Sequence, residues 1–446
     1  MVAPRTVVVL GASYGGVRAA QILAQGLPEG WRVVLIDRNT HMNHLYVLPR
    51  VASLPQHAHK AFIPYTHILG KPSDTADAGE TTERHISLHA EVTSISLHSL
   101  TLSKAFPEHG ISGEQPTLQF DYMVYALGSH LPAPINLWGP AHEDESGFSH
   151  DGSKSNGIHW LERFRSRLEV SRSVVIVGGG ALGIQFASDI VDIFPGTRVT
   201  LLHSRSQLLP RFDIAMHDEI LSTLTGMGVK VVLGERLDLS SPPKVTTNAE
   251  GQPERVVRTQ SGKELQAGLV LLCTGQTPNT GMMREMLPDS IVPDGPSKSM
   301  VGVKRTMQVA VPVLDSSDLL EDSVENEDED EDEDDDADLR AVHPHIFAVG
   351  DAADAFGAIK AGHTAYYQAE VAARNILKLI SQASPDIELE RYFPGEPAIK
   401  VSLGLHKAVY QVQGAVGTKT DVAEDLDAPL MWKMCGIEPT EEAMRL

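Results

Sequence analysis

Cysteine is nearly missing from this 446-residue chain: there are two, Cys273 and Cys435, far apart. That spacing excludes a disulfide framework and a CxxC redox or metal site, so no metal is expected. It fits a reducing compartment. No apolar run approaches the ~20 residues that span a bilayer. No signal segment is visible, because a β-branched run begins within a few residues of Met1. Val2 stands where N-myristoylation requires glycine. A cytoplasmic protein is expected. Basic residues are also in deficit, 37 against 59 acidic ones, for a formal charge of -22. Binding nucleic acid rests on neutralising phosphates with Lys and Arg, so no nucleic-acid partner is expected. Much of the charge is local. "ENEDEDEDEDDDAD", residues 325–338, contains no basic residue, and like-charge blocks of this kind stay disordered.

What the chain does have is a strand–glycine–helix–strand grammar, used twice. "TVVVLGASYGGVRAAQILAQGL" starts as a continuous apolar β-branched strand, as in a buried parallel sheet. It turns through Gly11, Ser13, Gly15 and Gly16 into a helix. "WRVVLID" follows as a second strand ending in Asp37, with Arg38 next. This is a βαβ unit. In the fingerprint G-x-G-x-x-G the first glycine makes the turn, the second lets the backbone approach a pyrophosphate, and the third lets helix pack on strand. The phosphates then lie at a helix N-terminus, where free N–H groups and the dipole favour anions. Ser13 takes the second glycine's place. It is small, and its hydroxyl can donate to a phosphate oxygen. Asp37 follows at the distance expected of a ribose-binding acid.

The pattern returns in "SVVIVGGGALGIQFASDIVDIFPGTRVTLLH", with Gly178, Gly180 and Gly183 intact. One fingerprint is weak support for a dinucleotide site; two in full βαβ context are strong. The second unit ends in His203 rather than an acid, and Arg205 follows. A carboxylate there would repel a 2'-phosphate, whereas an arginine accepts one, so NADPH is expected there, with NADH also admissible. "LQFDYMVYALGS" and "AGLVLLCTGQTPNT" each read as a strand returning to its own sheet, ending near Gly128 and Gly275. "HPHIFAVGDAADAFG" reads as a strand ending in Gly350-Asp351, followed by a helix to about Leu379. A Gly-Asp there is either a helix N-cap or a carboxylate offered to a polyol.

These segments together resemble the two-dinucleotide-binding-domain flavoproteins: glutathione reductase, type II NADH dehydrogenase and the apoptosis-inducing-factor relatives. The resemblance spans nearly the whole chain. It is strongest to the apoptosis-inducing-factor-like branch that includes the ferroptosis-suppressor (AMID-type) quinone reductases. "DRNTHMNHLYVLPRVA" places His44 and Arg50 where that branch has a histidine and an arginine, and "AIKAGHTAYYQAEVAARNI" places Lys360 where it has a lysine. "YFPGEPAIKVSLG" and "WKM" match its C-terminal segments. The resemblance implies an α/β fold of two tandem Rossmann-like domains, glutathione-reductase-like, with a small C-terminal region. The implied domains are an FAD-binding domain over 1–135 and 271–385 and an NAD(P)H-binding domain over 136–270. An acidic insertion falls at 315–340 and a C-terminal region covers 386–446.

It further implies FAD on Gly11, Ser13, Gly15, Gly16, Asp37, Arg38, Arg50, Gly128, Gly350 and Asp351. NADPH or NADH is implied on Gly178, Gly180, Gly183, His203, Arg205 and Gly275. Hydride would pass from NAD(P)H to flavin N5 and electrons on to a quinone-type acceptor, with Lys360 stabilising charge on the reduced flavin and His44 on the flavin side. Cofactor chemistry of this kind asks the protein to bind, orient and tune. No CxxxxC pair follows the first unit, so disulfide reduction is excluded. Three departures stand out: Ser13, Gln185 where the superfamily usually has glutamate, and the missing acylation glycine. Two further readings stay open. One is a flavin oxidase or monooxygenase, although no F-x-G-x-x-x-H linker is found. The other is a redox-responsive interaction protein using the acidic loop. The C-terminal "PLMWKMCG" leaves open a peripheral contact with a membrane or lipid-droplet surface.

Overall fold

A computed structural model describes residues 4–66, 68–70, 84–136, 150–240, 244–247, 251, 253–312, 339–381 and 387–446. The acidic run at 325–338 lies outside the described residues. The chain divides into two compact units. The first comprises Met1–Asn39, Tyr65–Ser129 and Pro278–Gly395; the second comprises Thr40–Pro64, His130–Thr277 and Glu396–Leu446. The segment 40–64 and the C-terminal region therefore both belong with the second nucleotide motif.

In the first unit, β1 (Arg5–Leu10) lies at the centre of a five-stranded parallel sheet. On one side it pairs with β2 (Trp31–Asp37), beyond which lies Ile86–His89. On the other side come Tyr122–Tyr125 and then Ile346–Ala348. Val7, Val8, Val9 and Leu10 are fully buried, which is why β1 reads as an unbroken apolar run rather than an alternating one. Because the chain leaves β1 to one neighbour and returns to the other, the sheet has a switch point at the carboxyl end of β1, where such sheets bind ligands. The helix α1 (Tyr14–Gly26) packs on the helix Gly362–Ser381 through small residues. A Cβ on Gly15 would come within 3.1 Å of the Ala365 carbonyl oxygen, and one on Gly362 within 2.7 Å of the Tyr14 ring. Arg18 Nε donates to Glu370 Oε1 at 2.8 Å across the same pair of helices.

The second unit repeats the plan with four parallel strands. Their order is Lys230–Val232, Arg198–Leu202, Ser173–Val177, Leu269–Leu272. One continuous core includes Trp160, Phe164, Ile176, Phe186 and Leu201 from this fold, and Val401 and Val409 from the C-terminal antiparallel sheet (Ile399–Leu403, Lys407–Val412, Ala415–Lys419). That sheet is strapped on by polar contacts too. Leu405 N donates to Asp192 Oδ2 at 2.8 Å, and Lys407 Nζ lies 2.5 Å from Glu219 Oε1. Among the described residues, no helix is long and apolar enough to cross a membrane.

One expected element differs. After Gly350 the chain makes a single 3-10 turn, Gly350–Ala352, and pairs Ala353–Asp354 with Val301–Gly302. The helix starts only at Gly362. The interruption has a local cause. Phe356 (φ +54°) and Gly357 (φ +70°) both adopt left-handed backbone, which no α-helix contains.

Candidate dinucleotide sites

The two glycine turns are the same structure built twice. Gly11 has φ +88° and Gly178 has φ +121°. A Cβ on Gly11 would sit 2.5 Å from the Ala126 carbonyl oxygen, and one on Gly178 would collide with the carbonyl oxygen of Cys273. A Cβ on Gly16 would run into the Gly11 carbonyl, as one on Gly183 would into that of Gly178. Gly11 N donates to Ile36 O and Gly178 N to Leu202 O, both at 2.8 Å. Both turns therefore demand glycine at the first and third positions for reasons of sterics and backbone hand.

The second position differs, and here the requirement is not internal to the protein. A Cβ on Gly180 would meet nothing within 4 Å. Ser13 is the N-cap of α1, yet its hydroxyl makes no capping hydrogen bond to the helix. The side chain can thus be spent on something other than the helix end. Gly128 (φ +59°) and Gly275 (φ +119°), which follow the returning strands, also face open space. The cradles at the carboxyl ends of both sheets therefore fit a dinucleotide: tight turns, small residues and a helix N-terminus beside unfilled volume.

The side chain ending the second strand plays the same part in each unit. Asp37 Oδ2 accepts from Ala12 N at 2.7 Å, while Oδ1 accepts from Asn39 N at 2.7 Å and Asn39 Nδ2 at 3.0 Å. Burial pushes the Asp37 carboxyl up, against those N–H donors and the Arg38 charge. In the second unit His203 Nδ1 accepts from Gly179 N at 3.0 Å, the position equivalent to Ala12. Its Nε2 donates to the Gln207 carbonyl at 3.1 Å. Both ring nitrogens are thus committed in the neutral tautomer, and burial lowers the imidazole further from charging. Nature's swap of acid for imidazole keeps the turn and removes the negative charge. Arg205 is exposed on the loop that follows, between the exposed Ser204 and Ser206.

Gly350 and Asp351 end the strand next to Tyr122–Tyr125. Asp351 Oδ2 accepts from Ser129 Oγ at 2.8 Å, and the Gly350 N–H donates to Gln368 Oε1 at 2.7 Å. Burial raises the Asp351 carboxyl, while Ser129 and the Lys360 charge oppose. The exposed Lys360 feels both Asp351 and Asp354. Burial nonetheless lowers its ammonium from the ordinary value. Ser129 and Asn279 are missing from the sequence reading, and Gln368, expected at the end of an acceptor-lining stretch from Lys360, holds the Gly350 N–H instead. Asn279 fixes the Gly128 turn from three directions: its N donates to Gly128 O, its Nδ2 to Leu127 O, and its carbonyl accepts from Tyr125 Oη at 2.6 Å. The "TGQTPN" string was the available signal for it, since its Thr-Gly-containing turn equals the earlier Leu-Gly one.

His44 and Arg50 fall in the second unit. The Arg50 side chain is fully buried and forks onto Asp189, with Nε and Nη2 at 3.0 Å from the two carboxylate oxygens. Nη1 and Nη2 also donate to the carbonyls of Glu424 and Gly404. That guanidinium is committed to holding the C-terminal region on the helix Ala181–Ile193, a role the resemblance did not imply. Gln185, on the same helix, donates to Ser402 Oγ at 3.2 Å. His44 is buried, and burial alone takes its imidazole down to about 4. At neutral pH the ring is therefore uncharged. Its folded pKa lies below the ordinary value, so the unfolded chain binds the extra proton first. Stability is complete above about 6.5 and falls as pH drops toward 4, by up to about 3 kcal/mol. A His44→Gln variant is expected to flatten urea midpoints between pH 6.5 and 4 relative to the parent; an unchanged slope would contradict this.

Comparison with known proteins agrees with this geometry. The pyridine nucleotide-disulphide oxidoreductase model matches residues 5–291. The chain is 42% identical over 436 residues to Fe-regulated protein 8 of Mycosarcoma maydis, covering 97% of this chain and 95% of that one. It is 25% identical to human ferroptosis suppressor protein 1, with 96% and 95% covered. Among solved structures, NDH2 from Plasmodium falciparum in complex with NADH superposes with a TM-score of 0.64 at 12% identity, covering 99% of this chain and 96% of that one. The cofactors are FAD and NAD(P)H, and the protein is an FAD-dependent NAD(P)H oxidoreductase. With its duplicated glycine cradles and a match running through both of them, the chain belongs to the pyridine nucleotide-disulphide oxidoreductase family.

Proposed function

We propose that this oxidoreductase delivers its electrons to a quinone. The observation that carries the reading is an exposed cation that feels the Asp351 charge, on the loop leading into a helix that exposes a ring. Lys360 precedes the helix Gly362–Ser381, and Tyr367, 61% exposed, sits in its second turn. A planar acceptor that gains negative charge is served by a ring to lie against and an ammonium nearby. A dithiol acceptor within the chain has no support. Cys273 and Cys435 are unpaired, burial raises both thiols, and that of Cys435 reaches about 12. The likeness to ferroptosis suppressor proteins supports the same acceptor class.

When bound, the flavin supplies the hydride acceptance and onward electron transfer. The chain's own residues do the rest. The Gly11 and Gly178 turns would offer the N-termini of their helices to the two pyrophosphates. Asp37 holds the first turn and keeps a carboxylate at the ribose end. His203 holds the second turn without charge, and Arg205 offers a guanidinium where an acid would repel a 2'-phosphate. An engineered water-forming NADPH oxidase of this fold, bound to NADPH, has lost an aspartate and gained two arginines and a serine. By the same logic NADPH is the preferred donor here.

The test is an anaerobic spectrum. NADPH should bleach the bound flavin at least as fast as NADH, and a quinone should restore the band faster than dioxygen does. In Lys360→Ala the re-oxidation rate by quinone should fall about tenfold with bleaching by NADPH unchanged, a loss of ~1.4 kcal/mol. Re-oxidation by dioxygen alone would replace the quinone reading with an oxidase one.

A further inference from the structure

Arg305 lies well outside both glycine cradles, yet it is joined to Asp351 by two separate routes within the first unit. The first is aromatic. The guanidinium carbon lies 4.4 Å from the centroid of Phe356 and 4.7 Å from that of Phe393, so the cation is flanked by two rings. Phe356 belongs to the loop that carries Asp351 on one side and Lys360 on the other. Its φ of +54° is strained for a bulky side chain, and such strain persists only where the surroundings over-determine it. Arg305 is the partner that does so here.

The second route runs through backbone and amide. Tyr392 N donates to Arg305 O at 2.7 Å, and Arg305 Nη1 donates back to Tyr392 O at 3.2 Å. The buried Tyr392 hydroxyl bonds to the Gln368 side chain, whose Oε1 accepts from the Gly350 N–H at 2.7 Å. Gly350 is the residue immediately before Asp351. Next to this path, Asn375 ties the same strap to the helix Gly362–Ser381, donating to the carbonyls of Thr306 and Glu390 and accepting from Glu390 N at 2.7 Å.

We propose that Arg305 is a positioning residue for FAD: it holds the Gly350–Lys360 loop at its start, through Gly350, and at Phe356 within it, and so fixes the Asp351 carboxylate for the flavin side. The inference rests on assigning Asp351 to FAD. A planar guanidinium stacks on rings where an ammonium does not, so lysine is a poor substitute.

The test follows FAD release from the diluted holoprotein by the fluorescence of free flavin. Arg305→Ala, which removes the aromatic route and the side-chain bond of the second while keeping the backbone bond from Tyr392 N, should raise the FAD dissociation constant at least tenfold, and Arg305→Lys should recover little of it. Phe356→Leu and Tyr392→Phe each break one route and should each weaken FAD by a smaller factor. Binding of NADPH to the second unit, read by its own fluorescence, should stay within twofold of the parent, which general unfolding would not allow. If Arg305→Ala holds FAD within twofold of the parent, the proposal is wrong. If that variant does not fold, Phe356→Leu and Tyr392→Phe decide, and parental affinity in both overturns it. A parent protein that releases FAD unchanged when Asp351 is replaced by alanine would instead sink the assignment of Asp351.

Discussion

Arg50→Ala should destabilise the second unit by about 3–5 kcal/mol, because it strands the Asp189 carboxylate without a partner in a site where neither side chain is exposed. The carbonyls of Gly404 and Glu424 lose this donor at the same time, and at the buried Gly404 the unpaired acceptor carries its own desolvation cost. The decisive comparison is with the double variant Arg50→Met with Asp189→Leu. Removing both charges should recover most of the loss, since the pair's attraction roughly offsets its desolvation. The measurement is the urea midpoint with FAD and NADPH held at fixed concentrations, as both ligands shift apparent stability. A single variant as stable as the parent would show that the pair contributes nothing, and the C-terminal sheet would then be held by its apolar contacts and the Asp192, Glu219 and Gln185 contacts.

The second large effect separates folding from binding at the second glycine cradle, proposed for NADPH. Gly178→Ala places a methyl group against the Cys273 carbonyl at a backbone angle that L-residues rarely adopt. It should cost about 2 kcal/mol or more in stability and slow flavin bleaching by NADPH ~30-fold or more. Gly180→Ala should behave differently. Its new methyl group meets open protein-free space, so the unfolding midpoint should stay at the parental value. Bleaching by NADPH should still slow by about the same factor, because the pyrophosphate needs that space. If Gly180→Ala binds NADPH normally, the dinucleotide does not approach the turn as proposed.

Much of this was legible in the sequence because it is local. The strand, turn and helix of each cradle lie within about thirty residues, and their glycines answer to backbone sterics that any such turn imposes. The central place of β1 follows from its unbroken Val-rich run. What stayed illegible depends on residues that meet only after folding. Ser129 and Asp351 are 222 positions apart, and Arg50 and Asp189 are 139 apart. No spacing rule links them, so Arg50 read as a flavin residue by position in a motif, while the fold gives it a buried carboxylate. The helix expected directly after Asp351 failed for a related reason. Phe356 carries no sequence mark of left-handed backbone, and Arg305, which holds it there, lies far upstream.

The interleaving of the two units has a consequence for how the protein comes into being. The first unit's edge strand Ile346–Ala348 and its helix Gly362–Ser381 are among the last parts of that unit to be synthesised, and the second unit waits for residues 396–446. During translation β1 and β2 leave the ribosome more than 300 residues before the strand and helix that complete their layer. Neither unit can close early, so the nascent chain carries an unfinished apolar sheet for most of its synthesis. A premature stop near the end would not yield one sound domain and one broken one. It would leave the second unit without its C-terminal sheet and Asp189 without the carbonyls that share its arginine, which makes the last fifty residues a checkpoint for the whole chain.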